Sequence, residues 1–245
     1  MAAEKVAFIT GGNKGLGFET ARQLGQQGIT VVIGSRDEAK GKEAAAKLEA
    51  EGIHAAAVRF DVTQAADYQE IYRYFDKRYG RLDILINNAG VSKENFLGGN
   101  QTSATPAEVL HQTFDTNFFG AIELTQTLLP LIRKSPAGRI VNLSSILGSL
   151  TLHADPSSPI YNAKAFAYDA SKAALNAFTI HLAHELKDTK IKVNSAHPGW
   201  VKTDMGTDAA PMEIPEGAKT SVALATLPED GPTGAYIHLG ETLPW

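Results

Sequence analysis

The sequence predicts a doubly wound α/β fold on a parallel sheet. Short apolar runs alternate with longer amphipathic ones along the whole chain, which is the pattern of strand–helix alternation. The apolar runs are continuous rather than alternating, so the strands are covered on both faces, as parallel strands are. The 245 residues carry no internal repeat, low-complexity tract or linker, so residues 1–245 are expected to form a single domain.

VAFIT (6–10) reads as the first strand. A helix from Gly15 to about Gly28 follows, with Leu16, Ala21 and Leu24 inward. VVIG (31–34) is the second strand, and EAAAKLEAE (43–51) is rich in strong helix formers. AAVRF (56–60) is the third strand, followed by a helix over 64–79 with Ile71, Tyr74 and Phe75 on one side. ILIN (84–87) and RIVNLS (139–144) are the fourth and fifth strands, with helices at about 106–116 and 118–134 between them. A long helix covers about 162–187, and IKVNSA (191–196) and AYIHL (235–239) bring the count to about seven strands. Residues 92–104 and 199–217 read as irregular. Both leave carboxyl ends of strands, where open α/β sheets bind ligands. Irregular segments of that length tend to be functional, so they are expected to form a substrate loop and a lid.

Composition narrows the function. The formal charge is 23 − 27 = −4, which gives no basic bias toward nucleic acid or acidic membranes. Without cysteine there is neither a disulfide nor a thiol nucleophile. The start, MAAEKVAFITGG, has no apolar core of signal-peptide length. No apolar run approaches the roughly 18 residues that span a membrane. A cytoplasmic protein without a membrane or nucleic-acid partner is expected. The sequons at Asn100 and Asn142 then carry little meaning.

Residues 10–17, TGGNKGLG, sit between the first strand and the first helix. Glycines there permit a tight turn and let backbone N–H groups approach a pyrophosphate at the helix N-terminus. The spacing Gly11, Gly15, Gly17 has a middle gap one residue longer than the commonest dinucleotide fingerprint. The second strand ends in Gly34-Ser35-Arg36. An acidic residue there would bond a ribose 2′-hydroxyl, whereas an arginine accommodates a 2′-phosphate. Lys14 adds a second cation. Asp37 reads as a helix N-cap. NADPH is therefore expected over NADH.

With these residues placed, the chain resembles the short-chain dehydrogenase/reductase family over nearly its whole length. TGGNKGLG is similar to the family's TGxxxGxG cofactor turn, and Asp61-Val62 to its adenine-contacting pair. Asn87-Asn88-Ala89-Gly90 resembles its NNAG motif, and Asn117 its helix asparagine. Ser144-Ser145 resembles the serine position, and Tyr168 with Lys172 resembles YxxxK. Pro198-Gly199 with Thr203 resembles the PG segment and its nicotinamide-binding threonine. The resemblance implies a Rossmann-type fold and NADPH/NADP+ contacts from Gly11, Asn13, Lys14, Gly15, Leu16 and Gly17. Ser35, Arg36, Asp61, Val62, Asn88, Ala89 and Gly90 would extend the cofactor site. Asn117, Tyr168, Lys172, Pro198, Gly199, Val201 and Thr203 would complete it. Within the family, the chain looks most like monomeric NADPH-dependent carbonyl reductases, through GGNKGLG, Ser35-Arg36-Asp37, HPGWVKTDM and the tail ending in tryptophan.

The stretch 160–172 holds two tyrosine–lysine pairs, Tyr161 with Lys164 and Tyr168 with Lys172. Either pair would share one helical face. The family motif needs lysine four residues after tyrosine, which only Tyr168 has. Pro156 and Pro159 leave Tyr161 at a fraying end. Tyr168 lies ahead of the apolar stripe Leu175, Phe178, Leu182 and Leu186, which anchors the helix. The resemblance then implies a small-molecule carbonyl substrate, hydride from nicotinamide, and a proton from Tyr168. A cation near a tyrosine lowers its pKa, so Lys172 and the oxidised nicotinamide are expected to depress that of Tyr168. Lys172 would also bond the nicotinamide ribose. Ser145 would bond the substrate oxygen, and Asn117 would hold a relay water. Ser145 is preferred to Ser144 on the family form. Only one of two adjacent strand residues can face the site.

One departure stands out. Many members place the serine about 13 residues before the tyrosine, but here the gap is 168 − 145 = 23. That longer 146–162 segment borders the site, and the resemblance to carbonyl reductases with a longer insertion there implies a monomer over a homo-oligomer. Phe96, Ile146, Tyr161, Trp200 and Met205 are candidate walls of an apolar substrate pocket, with Leu97, Leu147 and Met212 nearby. No metal site is expected, because His181, His184 and Glu185 do not follow a usual ligand order. An NAD-dependent alcohol, sugar or steroid dehydrogenase is the alternative, with Asp37 its only support. A non-catalytic NADP-sensing protein is the remote one.

Overall fold

The computed structural model describes residues 5–95 and 99–245. Eight strands form one sheet among them: β1 (Val6–Thr10), β2 (Thr30–Ser35), β3 (Ala55–Arg59), β4 (Ile84–Asn87), β5 (Arg139–Leu143), β6 (Lys192–Ala196), β7 (Tyr236–His238) and β8 (Glu241–Thr242). Their order is β3-β2-β1-β4-β5-β6-β7-β8. All neighbours pair in parallel except β7 with β8, which are antiparallel. The count is thus one above the expected seven. The extra strand has two residues, too short to leave a periodic signal.

Helices cover both faces: α1 (Gly15–Gly25), α2 (Glu38–Ala50), α3 (Ala65–Tyr79), α4 (Ala107–Phe114), α5 (Gly120–Ile132), α6 (Leu150–Ala154), α7 (Phe166–Glu185) and α8 (Ile214–Ala225). Alternate strand residues go to opposite cores. Val6 and Phe8 pack with α3, α5 and α7 residues such as Phe75, Leu128 and Leu182. Ala7 and Ile9 pack with Leu24, Leu48 and Val222 from α1, α2 and α8. Both faces being buried is why the strands read as continuous apolar runs. No helix among the described residues is long and apolar enough to cross a membrane.

Several boundaries differ from expectation. α2 begins at Glu38, five residues before the expected start, because the Asp37 side chain caps it by accepting from Lys40 N at 3.1 Å. The helix expected from 162 begins at Phe166, and turns occupy the residues before it. α8 opens inside the segment expected to be irregular, with Pro215 in its first turn. α6 likewise lies inside the 146–162 segment, capped by Ser149, whose side chain accepts from Leu152 N at 3.2 Å. Between α4 and α5 the chain makes a π turn, Asp115–Phe119.

Candidate active site

The strand order reverses between β1 and β4, and open α/β sheets bind ligands at such a point. Gly11 and Gly15 there hold φ of +63° and +56°, which side-chain-bearing residues rarely adopt. At Gly17, a Cβ would stand 2.5 Å from Asn88 Nδ2 and 2.6 Å from Gly11 O. Asn88 Nδ2 donates to Thr10 O at 2.7 Å and to Gly11 O at 3.3 Å. Thr10 Oγ1 accepts from the N–H groups of Asn88 and Ala89, at 3.0 and 2.9 Å. The glycine turn and the NNAG segment are one hydrogen-bonded unit, and the side chain of Asn88 works on the turn itself. A Cβ at Gly90 would come within 3.4 Å of Asn117 Oδ1 and 3.5 Å of Lys172 Nζ. This Cβ-free cradle fits a dinucleotide, whose phosphates need close backbone approach.

Around the cradle, Arg36 is exposed at the end of β2. Ser35 is buried and its hydroxyl donates to Asp37 O at 2.8 Å, so it shapes the strand end. Lys14 is exposed and its ammonium pairs with Asp204 of the 199–213 segment. Asp61 Oδ1 accepts from the N–H and hydroxyl of Thr63, at 3.0 and 2.9 Å, and Val62 is buried. Asn13 and Leu16 are half-buried in the turn.

Tyr168 and Lys172 lie one turn apart on α7, both buried. The ammonium of Lys172 is 5.6 Å from the Tyr168 ring centroid and donates to Leu143 O at 2.7 Å. Gly148 lets the loop after β5 reach α7, since a Cβ there would stand 2.9 Å from the backbone carbon of Lys172. That loop brings Ser145 beside Tyr168, near enough for its hydroxyl to act on the phenol. Ser144 is buried behind, beside the Tyr236 hydroxyl. Asn117 sits in the π turn, fully buried; its Oδ1 accepts from Val91 N at 2.8 Å. Its Nδ2 donates to Val91 O at 2.9 Å and to Ser171 Oγ at 3.0 Å. The π turn is a local distortion of the kind found at functional sites. It aims Asn117 between the segment that follows β4 and α7.

The expected depression of the Tyr168 pKa is not produced by the protein's own groups. Burial pushes this phenol up to about 12, with the neighbouring Ser145 hydroxyl pulling the other way. Burial also lowers the pKa of Lys172, to about 8.

Tyr161 and Lys164 precede α7, on the surface, where the Lys164 ammonium lies 5.1 Å over the Tyr161 ring. They do not join Tyr168. Trp200 is half-exposed, and its Nε1 donates to Gly206 O at 2.8 Å. Val201 is buried and bridges to Met212. Thr203 Oγ1 accepts from Gly206 N at 3.2 Å. The segment after β6 is thus folded on itself, with Met205 half-buried in it. Gly199, after the buried Pro198, needs its φ of +92° for the chain to turn there. Ile146 is half-buried in a short 3-10 turn, Ile146–Gly148. Phe96 and Leu97 lie outside the described residues.

Some participants are invisible to motif reading. Glu94 Oε2 accepts from Tyr168 N at 3.0 Å, capping the start of α7. Asp169 Oδ2 accepts from Ala165 N at 3.0 Å. His197 and Tyr236 grip the serine loop from β6 and β7.

The model of the family described as short chain dehydrogenase matches residues 5–214. The chain is 31% identical to a (+)-neomenthol dehydrogenase of Capsicum annuum, over 97% of this chain and 96% of that one. It is 32% identical to carbonyl reductase (NADPH) 1 of Bos taurus, over 98% of each. The structure of salutaridine reductase from Papaver somniferum superposes with a TM-score of 0.81 at 31% identity, covering 95% of this chain and 99% of that one. A family match over most of the chain, on a sheet whose order and glycine cradle suit a nicotinamide dinucleotide, leaves one assignment: the protein is an oxidoreductase of the short-chain dehydrogenase/reductase family.

Proposed function

We propose that the protein reduces a ketone or aldehyde to an alcohol with NADPH. The carrying observation is the meeting of Tyr168, Ser145 and Lys172 beside the glycine cradle. When bound, the dihydronicotinamide supplies a hydride to the carbonyl carbon. Ser145 and Tyr168 stand side by side and can both donate to one carbonyl oxygen. Burial keeps the Tyr168 proton in place at neutral pH. The group gives it up as negative charge builds on that oxygen. Lys172, with a pKa near 8, is still mostly protonated at neutral pH and favours the phenolate form once the proton has left. The side chain of Asn117 is fully bonded to Val91 and Ser171. It therefore positions α7, and a relay water would rest on its main chain.

NADPH is favoured over NADH because exposed Arg36 stands at the end of β2 while Asp37 is occupied as the cap of α2. The bovine relative, a carbonyl reductase, is itself named for NADPH. Exposed apolar side chains in the flanking segments, Trp200, Leu150 and Tyr161, support a bulky apolar substrate. The long segment between Ser145 and α7 supports a monomer, which sedimentation analysis would test.

The test is NADPH consumption against aromatic ketones, diketones, quinones and aldehydes, with Tyr168→Phe in parallel. Loss of one acid–base group lowers turnover by about 10²–10⁴-fold, and NADPH binding should persist. Full activity in the variant would refute the assignment.

A further inference from the structure

Ser145 is useful only if its hydroxyl is aimed, and the peptide linking Ser145 to Ile146 is gripped at both ends. On one side, the Tyr236 hydroxyl donates to Ser145 O, which also accepts from Gly148 N at 2.7 Å. On the other, Ile146 N donates to His197 Nδ1 at 3.1 Å. The C=O and N–H belong to the same rigid plane. A plane fixed at both ends cannot rotate, so the serine Cα is held, and Leu147 N, donating to Oγ at 3.3 Å, sets the side chain beside Tyr168.

Both gripping side chains are themselves immobile. Tyr236 is wholly buried on β7, and the Trp245 ring stacks on it at 5.4 Å and 20°. His197 follows β6; its own N–H donates to Ile237 O at 2.8 Å, and its ring lies 4.7 Å from that of His238. His197 Nδ1 also receives Gly199 N at 3.4 Å. A nitrogen that accepts twice carries no proton, so the ring is the Nε2–H tautomer. Burial beside His238 holds its pKa near 3, so the acceptor persists at working pH. The same nitrogen therefore ties the serine loop to the start of the 199–213 segment.

We propose that Tyr236 and His197 are positioning residues for Ser145, acting by clamping the Ser145–Ile146 peptide plane. This rests on the reduction proposed above. A displacement of the order of 1 Å at a reacting group can cost about 10²-fold. Tyr236→Phe, which removes only the hydroxyl, should lower kcat by roughly ten-fold or more. NADPH affinity should stay within about two-fold. His197→Leu should behave alike. His197→Asn, whose Oδ1 can replace the Nδ1 acceptor, should recover most of the rate.

The deciding measurement is a double-mutant cycle together with a crystal structure. In a Ser145→Ala background, Tyr236→Phe should cost nothing further in kcat, because it acts through the serine. An undiminished additional loss would make Tyr236 merely structural and overturn the proposal. In crystals of Tyr236→Phe, the Ser145 hydroxyl should be displaced from its wild-type position beside Tyr168; an unmoved serine would also overturn it. If the wild-type protein turned over no carbonyl, the proposed function would fall, and the crystal structure would still decide the clamp.

Discussion

The two halves of the carboxyl edge of the sheet are held in different ways. On the β2–β1–β4 side, the cradle is short and its bonds run between the neighbouring ends of β1 and β4, as Thr10 and Asn88 show. On the β5–β6–β7 side, the loops are long and are held by single side chains from remote parts of the chain. Glu94 caps α7, Lys172 reaches Leu143 O, and Tyr236 and His197 hold the serine loop. A phosphate site needs backbone N–H groups in a fixed curve, which a few glycines provide. A substrate site needs individual side chains aimed, and each requires its own support.

Perturbing the first half should therefore have large local effects on cofactor binding and leave the second half intact. Gly17→Ala is the strongest such change. Its Cβ would meet Asn88 Nδ2 at 2.5 Å, so the turn must shift away from its NNAG partner. Loss of one or two charge-assisted bonds to phosphate, each worth about 1.5–3 kcal/mol, predicts NADPH binding weaker by roughly 100-fold. Fluorescence titration of NADPH checks this, and unchanged affinity would show that the turn does not carry the phosphates. Arg36→Glu should act next most strongly. Reversing the charge at the end of β2 should shift the ratio of kcat/KM for NADPH over NADH by about 10–100-fold toward NADH. Melting temperature should change little, since Arg36 is exposed. An unaltered ratio would remove Arg36 from the cofactor site.

The same division explains what could be read from sequence. The glycine turn, NNAG and the Tyr168–Lys172 pair are legible because each is a short-range requirement. φ > 0 at Gly11 and Gly15 and one helical turn between tyrosine and lysine are fixed within a few residues. The clamp on Ser145 is not legible, because Tyr236 lies 91 residues away and His197 acts across 51. α8 was hidden because prolines and glycines near its start read as loop, although Pro215 is at home in a first turn. The state of Tyr168 is less legible, because its burial does not show in the sequence. A lysine four residues on marks a nearby cation, whereas burial, the larger effect among the protein's own groups, depends on the whole fold.

The smallest predicted effect probes the second half through pH. Asp169 follows Tyr168 on α7 and is buried, and its Oδ1 has no hydrogen-bond partner among the described residues. Burial, with Glu94 nearby, raises its pKa to about 7, against the Ala165 N–H bond and Lys164, which pull it down. His153, 3.4 Å from Oδ2, adds no cation: its Nε2 bonds Leu147 O at 2.9 Å, Nδ1 meets the Lys164 ammonium at 3.0 Å, and burial lowers its pKa. The folded state thus holds a proton that the unfolded chain releases near pH 3.8. The stabilisation from this carboxyl is fully present below that value. It declines as pH rises toward about 7, and then levels off. Asp169→Asn keeps an oxygen for the Ala165 N–H and has no proton to lose. Its melting temperature should match that of the wild type near pH 4 and exceed it by a few degrees at pH 7–8, roughly the effect of 1 kcal/mol in a domain of this size. Parallel melting curves across that range would mean that Asp169 is ionised in the folded protein. The start of α7 would then be held by an ion pair instead of a buried neutral acid.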